Sequence, residues 1–156
     1  PPADAVERAY LAALGRVDGW RAEGDVLTLL ADGSPSLRFR AASPEGSWTV
    51  TSLVMGDALT SPIAGTEITA AFAPDGTLSG SGGCNRYTTT YTTADGGIRI
   101  APPAATQKLC VEPEGVSEQE AAYLAALPGA ARFQIGEHGL ELLRADGTFV
   151  ATYARE

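Results

Sequence analysis

A chain of 156 residues with 44% hydrophobic and 19% charged side chains buries a core of its own, so it is neither a disordered tail nor a membrane bundle. Eleven basic against 19 acidic residues give a net charge of −8, a surface that repels phosphate backbones and argues against a nucleic-acid partner. One His and two Cys nearly empty the list of metal-site ligands, no cofactor is implied, and no apolar run nears the roughly 20 residues of a transmembrane segment.

Eighteen Gly and 10 Pro favour short strands and turns over a helical bundle. Pro1-Pro2, without an initiator Met, reads as the start of a trimmed chain. Asp4, with Glu7 three residues later, predicts an N-cap and capping box for a helix over 5–14 that Gly15 stops. Tyr10, Leu11 and Leu14 form its apolar face. Strands follow near 17–22, 26–31 and 36–41, with turns at Glu23-Gly24-Asp25 and Asp32-Gly33. Trp20 is expected to anchor a core.

The alternation beginning at Trp48 predicts a strand over 48–53, and a second covers 66–73 and ends at Pro74-Asp75-Gly76. Segments 77–81 and 86–93 flank a glycine-rich corner, Gly82-Gly83-Cys84-Asn85. The threonine-rich run 88–93 reads as a solvated strand, or as an edge open to strand addition by a partner. Asp95-Gly96-Gly97 turns into 98–100, and Pro102-Pro103 leads to 106–110. Ser117 and Glu120 repeat the capping-box pattern ahead of a helix over 118–127, ended by Pro128. Three strands near 131–136, 139–144 and 148–154 close the chain, with turns at Glu137-His138-Gly139 and Asp146-Gly147.

The end of the chain repeats its beginning. The hexapeptide at 9–14 recurs at 122–127, an offset of 113. At that offset Glu7 falls on Glu120, Trp20 on Phe133, Leu27 on Leu140 and Leu29-Leu30 on Leu142-Leu143. With a shift of one, Asp32-Gly33 meets Asp146-Gly147 and Phe39 meets Tyr153. The expected organisation is therefore a second half-unit at 1–42 and a complete unit at 43–156, mainly β with one helix per repeat. The unpaired strand edges of a half-unit call for docking on the complete unit, a homodimer or a strand-swapped dimer through 1–42.

Gly82-Gly83-Cys84-Asn85-Arg86-Tyr87, then Tyr91, Thr106, Cys110, Glu120, Tyr123-Leu124 and Leu127, then Leu140-Glu141-Leu142 with Asp146-Gly147, resemble a META domain, the family of the bacterial heat-shock protein HslJ. The resemblance covers 46–156, and 4–41 resembles the second half of another copy. Thr88-Thr89-Thr90 stands where many members carry a small residue, often Gly. The resemblance implies a compact, antiparallel, barrel-like α+β fold with one helix across it, and an exported or lipid-anchored location. It also implies a link to stress tolerance and no established catalytic mechanism.

Each candidate site has rival readings. Cys84 and Cys110 suit a disulfide from the corner to the loop before the helix, closing 26 residues and worth roughly 3 kcal/mol. They also suit inert buried thiols, or a reactive thiol assisted by Arg86 and Lys108. Gly82 and Gly83 supply unusual backbone angles at the corner and Asn85 bonds neighbouring backbone. With no Gly-Lys-Ser/Thr following, this is not a phosphate loop. Arg86, Tyr87, Thr106 and Glu120 are structural positions of the motif. His138 is expected in an exposed turn, and no carboxylate stands in an apolar segment suited to acid–base work. Trp48, Phe133 and Tyr91 are core anchors, or line an apolar cavity if the barrel has an open mouth. The expected function is a non-catalytic envelope or secreted module that binds a protein or a small apolar ligand. Its rivals are a purely structural, stress-protective domain and a thiol-redox protein using Cys84.

Overall fold

Burial alternates along the strand Arg86–Ala94, where Tyr87, Thr89 and Tyr91 are buried while Arg86, Thr88 and Thr90 are exposed. The computed structural model describes residues 3–136 and 139–156, so the turn residues Glu137 and His138 lie outside the described residues. Two compact units divide the chain, Pro1–Ala41 and Ala42–Glu156.

The first unit is α1 (Ala3–Leu14) followed by β1 (Gly19–Glu23), β2 (Val26–Ala31) and β3 (Ser34–Arg40), an antiparallel meander in that order. Asp32 and Gly33 take φ of 52° and 71°, the left-handed pair that a two-residue hairpin turn requires. Asp4 sits within the first turn of α1 rather than ahead of it, so it is not the cap. Trp20 pairs with Leu29, Leu29 with Leu37 and Leu27 with Phe39, which puts these side chains on one sheet face. That face is not a core: Trp20 is 70% exposed, and α1 has no buried residue. One helix and three strands do not enclose a side chain of that size, which corrects the expected anchor.

The second unit holds β4 (Gly46–Met55), β5 (Ala58–Thr60), β6 (Thr69–Phe72), β7 (Thr77–Ser81), β8 (Arg86–Ala94), β9 (Gly97–Ile100) and β10 (Ala104–Ala105). Then come α2 (Val116–Ala126), a 3-10 turn at Leu127–Gly129, β11 (Arg132–Gly136), β12 (Gly139–Leu143) and β13 (Phe149–Arg155). Eight of these strands form a closed antiparallel ring, β4-β6-β7-β8-β9-β11-β12-β13 and back to β4. The seam between β13 and β4 is broad, whereas β9 meets β11 through the single pair Gly97↔Arg132. Segment 43–113 is thus completed by 114–156. Two short strands flank the ring, β5 on β4 and β10 on β8, and neither was legible in the sequence.

Side chains fill the ring. Trp48, Phe72, Tyr91, Phe133, Leu140 and Tyr153 are among its buried core. The helix α2 packs against β4 and sends Tyr123 into that core, and the 3-10 turn after it adds Leu127. Of the two readings of the threonine run, β8 is the solvated strand, with Thr88, Thr90 and Thr92 exposed, and not an edge, because β7 covers one side and β10 and β9 share the other. One sequence expectation fails here. The helix is preceded not by a Ser117 cap but by Gly115 at φ 84°, and Ser117 lies inside the helix, its hydroxyl donating to the Cys110 carbonyl at 3.0 Å.

Candidate functional site

The corner between β7 and β8 turns in four residues, closed by the Gly82 N–H donating to the Asn85 carbonyl at 2.7 Å. Gly83 takes φ 108°, which a side chain would strain, and a Cβ at Gly82 would stand 2.6 Å from Glu120 Oε2. The corner is therefore built against the Glu120 carboxylate on α2. Glu120 Oε2 accepts from the Cys84 N–H at 3.1 Å and the Asn85 N–H at 2.5 Å, while Oε1 accepts from Asn85 Nδ2 at 2.7 Å. Glu120 and Asn85 are only 8% and 7% exposed, so these charge-assisted bonds replace lost water. Glu120 was singled out as a structural position of the motif, but its role was missed: the Ser-x-x-Glu spacing suggested a helix cap, and nothing local marks a carboxylate that serves a corner 35 residues away.

Asn85 uses the rest of its amide on the loop that leads to α2. Its Nδ2 donates to the Lys108 carbonyl at 3.0 Å, and its Oδ1 accepts from the Lys108 N–H at 2.7 Å and the Thr106 hydroxyl at 2.8 Å. A disulfide between Cys84 and Cys110 fastens the same loop two residues further on. The structure thus brings Gly82, Gly83, Cys84, Asn85, Thr106, Cys110 and Glu120 into one clasp. Arg86 is exposed beside it, at the start of β8. Gln119, unforeseen and 1% exposed, extends the tie by accepting from the Ile63 N–H and donating to the Thr66 hydroxyl.

A second polar group runs through the core. Tyr87 donates to the Thr69 carbonyl at 2.9 Å and meets Tyr123 hydroxyl to hydroxyl at 3.1 Å, and Tyr123 meets Tyr153 at 3.3 Å. Burial pushes the Tyr87 phenol up to about 12. The same desolvation raises Tyr123, reinforced by its two tyrosine neighbours, and Tyr153.

Chemically, the clasp positions rather than reacts. Glu120 is saturated by three donors, and both sulfurs are held in the disulfide. Among the described residues no group of three or more His, Cys, Asp or Glu is arranged for a metal ion. Trp48, Phe133 and Tyr91 stand in the packed core, with Trp48 Nε1 donating to the Pro44 carbonyl and the Tyr91 hydroxyl to that of Ala73. What the clasp holds out to solvent is the loop between β10 and α2, on which Leu109 is 83% and Val111 77% exposed. Beside it, Ser79, Arg86, Tyr87, Thr88, Ala104, Ala105 and Thr106 line an open groove of about 410 Å³.

A model of one protein family, described as the META domain, matches residues 41–156, the closed barrel together with its clasp. The chain belongs to the META domain family. A solved structure, the NMR structure of the protein from Burkholderia xenovorans, is 27% identical with a TM-score of 0.58, covering 72% of this chain and 82% of that one. A second NMR structure is 23% identical with a TM-score of 0.49, over 72% of this chain and 93% of its own. No curated protein matches. Within this META domain, the clasp ties together residues from β7, β8, α2 and the loop between β10 and α2.

Proposed function

We propose that this chain is a non-catalytic META module that works outside the cytoplasm and binds a protein partner through the clasped loop between β10 and α2. The observation that carries the reading is the pair Leu109 and Val111, large apolar side chains that remain 83% and 77% exposed on a tethered loop. The loop is tied by Asn85 on one side and by the disulfide on the other, so a partner would pay little ordering entropy to engage it. The disulfide supports an oxidising compartment. A small apolar ligand remains a second reading, moved from the barrel interior, which side chains fill, to the groove beside β10.

The test places a photocrosslinking residue at 109 and, as a control, at the exposed Thr92 on β8. Crosslinking is carried out in the producing cell. The expected result is a discrete protein adduct from 109 alone, lost when Cys84 and Cys110 are both replaced by Ala. No adduct, or the same pattern from both positions, discards the reading.

The first unit belongs to the same proposal as the second half of another META copy, and its pairing supports this. In β1 and β2, Gly19↔Leu30, Trp20↔Leu29 and Ala22↔Leu27 stand at the 113-residue offset of Arg132↔Leu143, Phe133↔Leu142 and Ile135↔Leu140 in β11 and β12. The register shifts between Leu29 and Leu30 on β2, and between Leu142 and Leu143 on β12, which is the same place in both. On the two sides of the shift, Leu27↔Phe39 corresponds to Leu140↔Tyr153 and Leu30↔Pro35 to Leu143↔Phe149.

A further inference from the structure

The first unit keeps the groups with which a META second half grips its first half, and leaves them exposed. In the closed barrel Tyr123, Phe133, Leu140 and Tyr153 are each 7% exposed or less. Their counterparts Tyr10, Trp20, Leu27 and Phe39 are 41%, 70%, 38% and 37% exposed. Glu7 is exposed at the position of Glu120, whose carboxylate serves only the Gly-Gly-Cys-Asn corner of the first half. The helices tell the same story. Helix α2 rests on β4, a first-half strand, whereas beside α1 Ala5, Val6, Ala9, Tyr10 and Leu37 border an open apolar gap of about 550 Å³.

We infer that the open face of the first unit is a docking surface for a second META first half. The occupant is a polypeptide segment with strands arranged as β4 to β9 and a Gly-Gly-Cys-Asn corner seated on Glu7. The inference rests on reading 1–42 as a META half-copy. Residues 43–113 of this chain are not the occupant, because they are completed by 114–156 through β13, β11 and Glu120. The docked segment would lay its β4 strand along β3 and under α1, filling the gap at Leu37, and would cover Trp20 as Phe133 is covered. The polar demand is met as well, since Glu7 would receive the two corner N–H groups and the corner amide that Glu120 receives in the closed barrel.

The test uses the full chain with an added copy of its own 43–113, in which Trp48→Phe leaves the chain's own Trp20 and Trp48 as its two tryptophans, joined directly to residue 1, which stands where residue 114 stands under the 113-residue offset. Trp20 reports the result, because Trp48, 1% exposed, is silent to a polar quencher. In the unextended chain Trp20 is expected to be open to acrylamide at every protein concentration. In the extended chain its quenching constant should fall about fivefold and the amides of β1 to β3 should exchange at least about a hundredfold more slowly. Glu7→Ala in the extended chain should restore much of the quenching.

Three results overturn the inference: an extended chain that is insoluble, one in which Trp20 stays open, and an unextended chain in which Trp20 is already protected. Protection that rises with protein concentration would assign the face to a second copy instead. Failure of the half-copy reading itself is seen separately, as the absence of cross-strand NOEs for Trp20–Leu29 and Leu27–Phe39 in the unextended chain.

Discussion

Glu120 shows how a single residue can carry most of a motif. Replacing it by Ala would leave the Cys84 and Asn85 N–H groups and the Asn85 amide buried without their acceptor. The expected cost is about 3 kcal/mol in urea unfolding, and Glu120→Gln, which keeps one acceptor oxygen, should lose less. Equal stability of wild type and Glu120→Ala would mean that the clasp contributes nothing to the fold. The core tyrosines give a second expectation at this scale. Because the folded protein holds the phenols of Tyr87, Tyr123 and Tyr153 above their ordinary value, only the unfolded chain releases these protons as pH passes 10. Stability is therefore full below pH 10 and falls above it, by about 1.4 kcal/mol per pH unit for each such tyrosine, with the share of Tyr87 spent near 12. Urea midpoints between pH 8 and 11.5 measure the slope. Tyr87→Phe should make it shallower, and a flat profile would contradict the burial. The corner's glycines, asparagine and cysteine were legible in the sequence as a tight turn. Their acceptor was not, because Ser117 and Glu120 imitate a helix cap and the residue that the carboxylate serves is remote in the chain.

At the scale of elements, the loop between β10 and α2 depends on two independent ties. Replacing Cys84 and Cys110 by Ala releases a 26-residue closure and should cost about 3 kcal/mol. The barrel should nevertheless survive, because Asn85 still holds Thr106 and Lys108. Amide exchange would then accelerate at 109–113 and far less in β4 to β9. Uniform acceleration would show that the disulfide supports the whole barrel rather than one loop. Strand alternation was readable for β8 and for the start of β4, where Tyr87, Thr89 and Tyr91, and Trp48 and Val50, are buried at a period of two. Strand order was not: nothing in the run 88–93 says that β9 and β10 share its far side, and a threonine-rich strand looks the same at an edge as in the middle. Edges available for pairing on the barrel are β5 and β10, and β10, two residues long, is the one adjacent to the clasped loop.

Over the whole molecule, the two units differ sharply in what they bury. Trp48, Leu53, Ile68, Leu78, Leu140 and Tyr153 anchor the barrel at 1% exposure or less, whereas α1 of the first unit has no buried residue. Hydrogen exchange should therefore separate them, with amides of 19–40 at least about a hundredfold less protected than those of β4, β12 and β13. Equal protection would mean that the first unit is covered in solution. The half-copy proposed for the first unit rests on a signal readable in the sequence, the hexapeptide at 9–14 and the Asp32-Gly33 turn that recur at 122–127 and Asp146-Gly147. The barrel-like α+β fold was expected from the family resemblance and is what the structure has, whereas the pairings that close it, one contact between β9 and β11 and the seam between the barrel's first and last strands, were not readable from local pattern.

That seam has a kinetic consequence. Thr51 and Thr152 share a 2.8 Å hydrogen bond although 101 residues separate them, and the pairing of β4 with β13 is among the barrel's broadest. A domain whose main closure joins its two ends has a high contact order, so it should refold on the order of milliseconds to seconds, well behind a helical protein of equal size. Until β13 arrives, β4 offers an open side to any other strand. Stopped-flow refolding of a chain cut before Phe149 should accordingly yield no native tryptophan signal from Trp48 at any delay.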